Sequence, residues 1–255
     1  LGCFPSEDKL REAISDGPQF RDVTVESGIK HKMVSGIPEK EHIVECVTGG
    51  TALFDYDEDG DLDIFFVNGS RLQGYPEGEE PRAALFRNDG EWNFTDVAID
   101  AGIAHIGWGM GVTVVDYNAD GFSDVYLSNY GPNALYHNNG DGTFRDVAKE
   151  LGVAYAGWSS AAAFGDYDGD GDLDFYLTNY LNFDPEFVPA DMSLCNWRGI
   201  NVFYGPRGLP GDTDILFRNE GQKEGWHFTD ATQDFGLEDH DYYGFTALAG
   251  DYDND

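Results

Sequence analysis

Short apolar runs separated by Gly, Asp and Asn recur along this chain, and their phase predicts strands. Thr51-Ala52-Leu53-Phe54 is followed, after an acidic tract, by Ile64-Phe65-Phe66-Val67, then by Leu85-Phe86-Arg87-Asn88 and Phe94-Thr95-Asp96-Val97. The runs are aromatic and β-branched, and turn-forming residues bound them, which is the pattern of strands in a sheet. The series returns as Val125-Tyr126-Leu127, Leu135-Tyr136-His137-Asn138 and Phe144-Arg145-Asp146-Val147, and again as Phe175-Tyr176-Leu177, Leu216-Phe217-Arg218-Asn219 and Phe228-Thr229-Asp230-Ala231. Each unit offers four strands at a period of about 50 residues, the arithmetic of a β-propeller blade.

The repeat keeps a strict phase at its far end. Phe94 to Gly102, Phe144 to Gly152 and Phe228 to Gly236 are each eight residues apart, and Phe20-Arg21-Asp22-Val23 with Gly28 repeats the spacing. The chain is therefore expected to open, after an N-terminal segment over 1–19, with the last strand of a unit. This reading divides residues 20–255 into a terminal strand and linker (20–48), units over 49–106, 107–156 and 157–243, and a truncated start over 244–255. An orphan final strand at the N-terminus favours a closed ring over a linear solenoid, because a propeller commonly completes one blade from both chain ends. The expected fold is all-β, a propeller of four-stranded blades.

The connection between the first two strands of each unit carries the chemistry. Its first copy, Asp55-Tyr56-Asp57-Glu58-Asp59-Gly60-Asp61-Leu62-Asp63, returns over 116–124 and 166–174 and begins again at Asp251. Positions 1, 3, 5 and 9 are Asp55, Asp57, Asp59 and Asp63, then Asp116, Asn118, Asp120 and Asp124, then Asp166, Asp168, Asp170 and Asp174. All carry a side-chain oxygen. Position 7 varies among Asp61, Phe122 and Asp172, which fits a ligand acting through its backbone carbonyl, and Gly60, Gly121 and Gly171 permit the sharp turn between. At about 5 Å and an effective dielectric of about 20, each carboxylate pair repels by roughly 3 kcal/mol, so the converged loop calls for a cation. An all-oxygen, carboxylate-rich set without His or Cys selects calcium over zinc or copper, and the number of ligands selects it over magnesium. Three complete Ca2+ sites are expected. Asp251, Asp253 and Asp255 start a fourth.

These loops match the first half of an EF-hand and then depart from it. An EF-hand needs a bidentate Glu at position 12, where this chain has Phe66, Leu127 and Leu177, and it needs flanking helices in place of the strands expected here.

Taken together, the Asp-Tyr-Asp-x-Asp-Gly loops, Gly49-Gly50 ahead of the first, Asn138-Asn139-Gly140-Asp141-Gly142-Thr143-Phe144 and Gly205-Pro206-Arg207-Gly208-Leu209-Pro210-Gly211 carry a family resemblance. The chain resembles the integrin-type FG-GAP or VCBS repeat proteins, most closely the cartilage acidic protein and UnbV-related group. That resemblance implies a propeller of about seven blades, of which this chain covers about half, and extracellular calcium binding and adhesion. It also implies a Cys where Tyr204 stands, so that Cys195 lacks the partner that relatives place nearby.

Composition narrows the partners. With 48 acidic and 15 basic residues the net charge is -33, which three divalent ions would reduce only to about -27. Nucleic acid and anionic membrane faces are disfavoured. Aromatic residues at 15% and hydrophobic residues at 41% supply a core, so the acidity does not signal disorder. No apolar run approaches the ~20 residues of a membrane span. Calcium sites suit a calcium-rich compartment, so an extracellular or cell-surface location is expected. Leu1-Gly2-Cys3 resembles the end of a bacterial lipoprotein signal, with Cys3 as the lipid anchor, leaving Cys46 and Cys195 as a pair able to form a disulfide.

Two insertions break the period: one between Ser70 and Pro81, the other over 181–213. The second contains Trp197, Arg198, Phe203, Tyr204 and Arg207, which either pack onto their own blade or meet a partner. Trp108 and Trp158 read as core or central-channel residues. Asn68-Gly69-Ser70 and Asn93-Phe94-Thr95 match the glycosylation pattern. The six histidines are scattered, and His137, at a position held by Arg87 and Arg218 in sister units, reads as a surface substituent. No nucleophile elbow, phosphate loop or paired-His motif is present. The expected function is a calcium-binding adhesion or binding module for a protein or glycan ligand. The alternatives are a polysaccharide-active enzyme with structural calcium and a subunit of a self-assembling surface array or filament.

Overall fold

The structure, a computed structural model, describes residues 20–186, 196–201, 206, 208–237 and 242–251. Its first blade is the antiparallel meander β1 (Thr51–Phe54), β2 (Asp63–Phe66), β3 (Ala84–Asn88) and β4 (Phe94–Asp96). The second comprises β5 (Trp108–Val115), β6 (Asp124–Pro132), β7 (Ala134–Asn138) and β8 (Phe144–Asp146). The third comprises β9 (Ala156–Gly165) and β10 (Asp174–Asn179). After a small hairpin, β11 (Asn196–Trp197) with β12 (Ile200–Asn201), it is completed by β13 (Ile215–Asn219) and β14 (Phe228–Asp230). At its far end β6 also pairs with β9, Tyr130 facing Trp158 and Pro132 facing Ala156, which joins the second and third blades into one sheet.

The blades stack face to face, and this explains why the middle blade has no polar side. Strand side chains alternate between faces. On β6, Val125 and Leu127 join Phe65, Leu85 and Ile103 in the core between blades one and two, whereas Tyr126 joins Phe175, Leu177 and Phe217 in the core between blades two and three. All of these are buried. The inner strands converge, and glycine makes the approach possible. A Cβ at Gly111 would lie 2.6 Å from the Ser160 carbonyl oxygen, and one at Gly50 would lie 2.9 Å from the Val112 nitrogen. Curled four-stranded units packed in this way form a partial β-propeller.

Each outer strand is pinned to the preceding unit by the same bond. Phe144 N–H donates to the Ala101 carbonyl at 2.7 Å, Phe228 N–H to Leu151 at 2.9 Å, and Phe94 N–H to Ser27 at 3.0 Å. The turn ending at Gly28 thus occupies the place of a unit's end. The segment before it forms no strand, contrary to expectation, and Phe20 is exposed. The outer strand of a blade has one pairing neighbour, and no described residue supplies it here. At the other end Gly244 N–H donates to the Asn179 carbonyl at 3.0 Å as Gly109 N–H does to Asn68 at 2.9 Å, and the Phe245 ring packs at a tilt against Tyr180, centroids 4.4 Å apart.

Both insertions fall in the connection from the second to the third strand of their blades, on the rim away from the acidic loops. An Asn at the end of each second strand pins the base of that connection. Asn68, Asn129 and Asn179 donate Nδ2–H to the carbonyls of Arg82 (3.2 Å), Pro132 (2.7 Å) and Thr213 (2.6 Å), whatever length of chain lies between. Fixing the base of a loop in this way lets its length vary at little cost to the sheet. The same rim holds a third cluster of Ile43, Val44, Trp108, Trp158, Tyr180 and Leu181, so both tryptophans are core residues. Glu45 is fully buried there, accepting backbone N–H bonds from Ile37, Glu41 and His42. Asn68 is 7% exposed with its carboxamide bonded at both ends, which removes the first glycosylation motif; Asn93 lies exposed in the β3–β4 turn.

Candidate metal loops

The three acidic loops share one local construction. The position-1 carboxylate turns inward and accepts backbone N–H bonds from positions 5 and 6. Asp55 accepts from Asp59 and Gly60 (3.1 and 2.9 Å), Asp116 from Asp120 and Gly121 (3.1 and 2.9 Å), and Asp166 from Asp170 and Gly171 (3.1 Å each). Gly60, Gly121 and Gly171 each have φ of +96°, in the left-handed region that glycine enters without strain. Position 4 is also left-handed, at Glu58 (φ 58°), Ala119 (φ 53°) and Gly169 (φ 78°). An L side chain there is strained, so Ala119→Gly is expected to stabilise the protein by about 0.5–1 kcal/mol in urea unfolding.

Position 9 is the buried anchor. Asp63, Asp124 and Asp174 are at most 1% exposed. In each, one oxygen accepts the N–H of position 2: Tyr56 at 3.1 Å, Tyr117 at 3.3 Å and Tyr167 at 3.0 Å. The other accepts the N–H of the Asn closing the third strand, Asn88, Asn138 or Asn219, each at 2.8 Å. Burial pushes Asp63 up to about 6 and Asp124 up to about 7, against the pull of these N–H donors, and raises Asp174 likewise; neighbouring carboxylates add to the rise. These groups sit above their unfolded values, so the ion-free folded protein binds more protons between about pH 4 and 7. Their contribution to its stability is fully present below that window and is lost as pH rises through 6 to 7. The melting temperature of metal-stripped protein is expected to fall between pH 5 and 8.

Oxygen atoms of Asp55, Asp57 and Asp63 lie within 4.8 Å of one another, as do those of Asp166, Asp168 and Asp174. In the first loop Asp57 Oδ1 is buried with no hydrogen-bond partner. A buried carboxylate oxygen without a donor is costly, and a cation at the convergence of the three side chains would satisfy it. A hard, oxygen-preferring ion fits this donor set. In the second loop Asn118 replaces the position-3 carboxylate and donates Nδ2–H to Asp120 at 2.8 Å.

Position 5 sits differently from the other acidic positions. Asp59, Asp120 and Asp170 are exposed, and each accepts the position-7 N–H of Asp61, Phe122 or Asp172 at 2.9 Å, outside the converging trio. Asp251 is exposed; Asp253 and Asp255, like Cys3, Cys195, Phe203, Tyr204 and Arg207, lie outside the described residues. Cys46 is an exposed free thiol. His137 is not a bare surface substituent. Its Nδ1 lies 3.1 Å from Asp124 Oδ1 and its ring packs edge-on against Tyr117, because the β7 register carries it beside the position-9 carboxylate.

The Asn at the end of each third strand was visible in the sequence as a repeated closing residue, but its reach was not. Its Oδ1 accepts the N–H of Gly90, Gly140 or Gly221 and so shapes the outer hairpin turn. Its Nδ2 donates to the position-8 carbonyl of its own loop, Leu62, Ser123 or Leu173, at 3.2 Å. Asn138 and Asn219 also reach the preceding blade, donating to the position-2 carbonyls of Tyr56 at 2.9 Å and Tyr117 at 3.0 Å.

Repeated loop-and-blade units of this kind place the chain among tandem-repeat β-propellers. A model of the FG-GAP-like repeat matches residues 55–127 and 116–177, so the chain carries successive FG-GAP-like repeats that each run from one acidic loop through the next. No curated protein matches it. Among solved structures it is similar to one reported as the structural basis of specific recognition of non-reducing terminal N-acetylglucosamine by an Agrocybe aegerita lectin. The likeness has 19% identity and a TM-score of 0.37 over 75% of this chain, and the chain spans 41% of the length of that structure.

Proposed function

We propose that this chain is part of a calcium-binding extracellular β-propeller that serves as an adhesion or binding module. The observation that carries the proposal is the partnerless, buried Asp57 Oδ1 at the meeting point of Asp55, Asp57 and Asp63, a convergence repeated at Asp166, Asp168 and Asp174. Calcium is the ion that tolerates an irregular, carboxylate-rich oxygen shell, with backbone carbonyls completing what the side chains leave open. Bound at one rim, the ions brace the β1–β2, β5–β6 and β9–β10 turns and leave the opposite rim for a partner.

That opposite rim supports the second half of the proposal. It carries both insertions and a cleft lined by Tyr130, Trp158, Phe183, Asn182 and Asp212, an aromatic wall beside polar groups. A protein or glycan surface is the class of ligand such a rim suits. Catalysis is not part of the proposal. His105 is pushed below its ordinary range by burial, and its ring nitrogens face Tyr136 OH at 3.0 Å and Asn129 Nδ2 at 3.2 Å, so it is engaged in packing. No described helix is long and apolar enough to cross a membrane, and the location outside the cell rests on the calcium chemistry.

Calorimetric titration of the metal-free protein tests the ion. One calcium for each complete loop is expected, with the second loop weakest because Asn118 removes a charge from its ligand set, and with magnesium failing to compete at equal concentration. Heat of binding for magnesium but none for calcium would refute it.

A further inference from the structure

The three acidic loops are joined by a continuous line of hydrogen bonds running across the blades. Asp63 Oδ2 accepts the N–H of Tyr56, whose carbonyl accepts Nδ2–H of Asn138, whose own N–H donates to Asp124 Oδ1. From there the line repeats. Asp124 Oδ2 accepts the N–H of Tyr117, whose carbonyl accepts Nδ2–H of Asn219, whose N–H donates to Asp174 Oδ1. Every link is between 2.8 and 3.3 Å, and both asparagines are at most 1% exposed, so water does not replace a lost link cheaply.

Packing follows the same route. The Tyr56 ring stacks on Phe144 of the next blade at 6.2 Å, and the Tyr117 ring meets Phe228 of the blade after it at 6.1 Å. The first loop's position-2 peptide is thus held by its own position-9 carboxylate on one side and by the second blade on the other. A cation that fixes Asp63 fixes the Tyr56 peptide, and through Asn138 it orders the carboxylate of the next loop. Asn88 provides a built-in contrast, since among the described residues its Nδ2 reaches only Leu62 of its own loop.

We propose that Asn138 and Asn219 couple the loops, so that an ion bound in one raises the affinity of its neighbour. The inference rests on the calcium reading above and deepens it. Coupling through such a contiguous, discretely arranged network is a difference in binding free energy between sites and is reciprocal. It also assists the second loop, which has one carboxylate fewer, because that loop has a coupled neighbour on each side.

The experiment is a site-resolved calcium titration of the whole chain labelled with 15N-glycine, following the amides of Gly60, Gly121 and Gly171, one in each loop. Disabling the first loop with Asp57→Ala is expected to raise the calcium concentration at the Gly121 midpoint by about fivefold or more. In an Asn138→Ala background the same Asp57→Ala change is expected to leave the Gly121 midpoint in place, whereas Asn88→Ala leaves the coupling intact. Should Asn138→Ala not fold, Asn138→Ser serves the same purpose, since its shorter side chain cannot reach Tyr56. Asn219→Ala separately uncouples the second loop from the third. A Gly121 midpoint indifferent to the first loop, or a shift that survives loss of Asn138, overturns the coupling while leaving calcium binding standing. Glycine amides indifferent to calcium in all three loops overturn both.

Discussion

Stripping calcium from the protein is expected to lower its unfolding free energy by about 2.7 kcal/mol for each loop saturated at 100 times its Kd, and by about 8 kcal/mol for three loops. That is most of the net stability of an ordinary domain, so the metal-free protein should melt tens of degrees lower or lose cooperative folding. The reason lies in the position-1, position-3 and position-9 carboxylates, which converge in two of the loops to within 4.8 Å. Without an ion they repel at close range, and Asp57 Oδ1 is left buried and unbonded. Scanning calorimetry in excess calcium and in excess chelator measures the difference. Calcium should also invert the pH dependence, since protons then compete with the ion for Asp63 and Asp124, and acidification from pH 8 to 5 lowers the melting temperature where the ion-free protein gains from it.

The largest effect of a single substitution is expected at Asp124. Its carboxylate is fully buried and accepts from Tyr117 N, Asn138 N and His137 Nδ1. Asp124→Ala leaves two backbone donors of blade two unpaired, with a cost of about 3–5 kcal/mol even in metal-free buffer. Asp120→Ala, in the same loop, removes two exposed bonds, from Phe122 N and Asn118 Nδ2, and is expected to cost about 1 kcal/mol under the same conditions. Urea unfolding of the two variants, compared at equal m-value, separates the anchor from the exposed position. Similar losses for both would mean that the loop is held by something other than its buried carboxylate.

Much of this architecture was legible in the residues. The strand runs from Thr51 to Asp230 stand out because aromatic and β-branched segments alternate with Asp, Asn and Gly turns, and because a period of about 50 residues makes every unit a check on the others. The Phe20 segment is the exception, since a sequence run states a capacity to pair and not the presence of a neighbour. The loops' carboxylates were equally visible, but their division of labour was not. Spacing gives Asp59 and Asp63 the same standing; only the fold shows that Asp63 is buried between two backbone donors while Asp59 faces outward and holds Asp61 N. The reach of Asn138 to Tyr56 and of Asn219 to Tyr117 spans 82 and 102 residues, and no local pattern says which distant carbonyl a repeated Asn will find. Glu45 was hidden for the opposite reason, being an unrepeated residue in an irregular segment, with a role defined wholly by the three amides that surround it.

The central claim is that the acidic turns at one rim of this partial propeller each enclose a calcium ion. Anomalous difference density from crystals grown in saturating calcium tests it most directly. The account predicts a peak within coordination distance of Asp55, Asp57 and Asp63, and equivalent peaks at the loops of Asp116 and Asp166. Ordered loops without a peak, or a peak lying outside the space between those carboxylates, would contradict it.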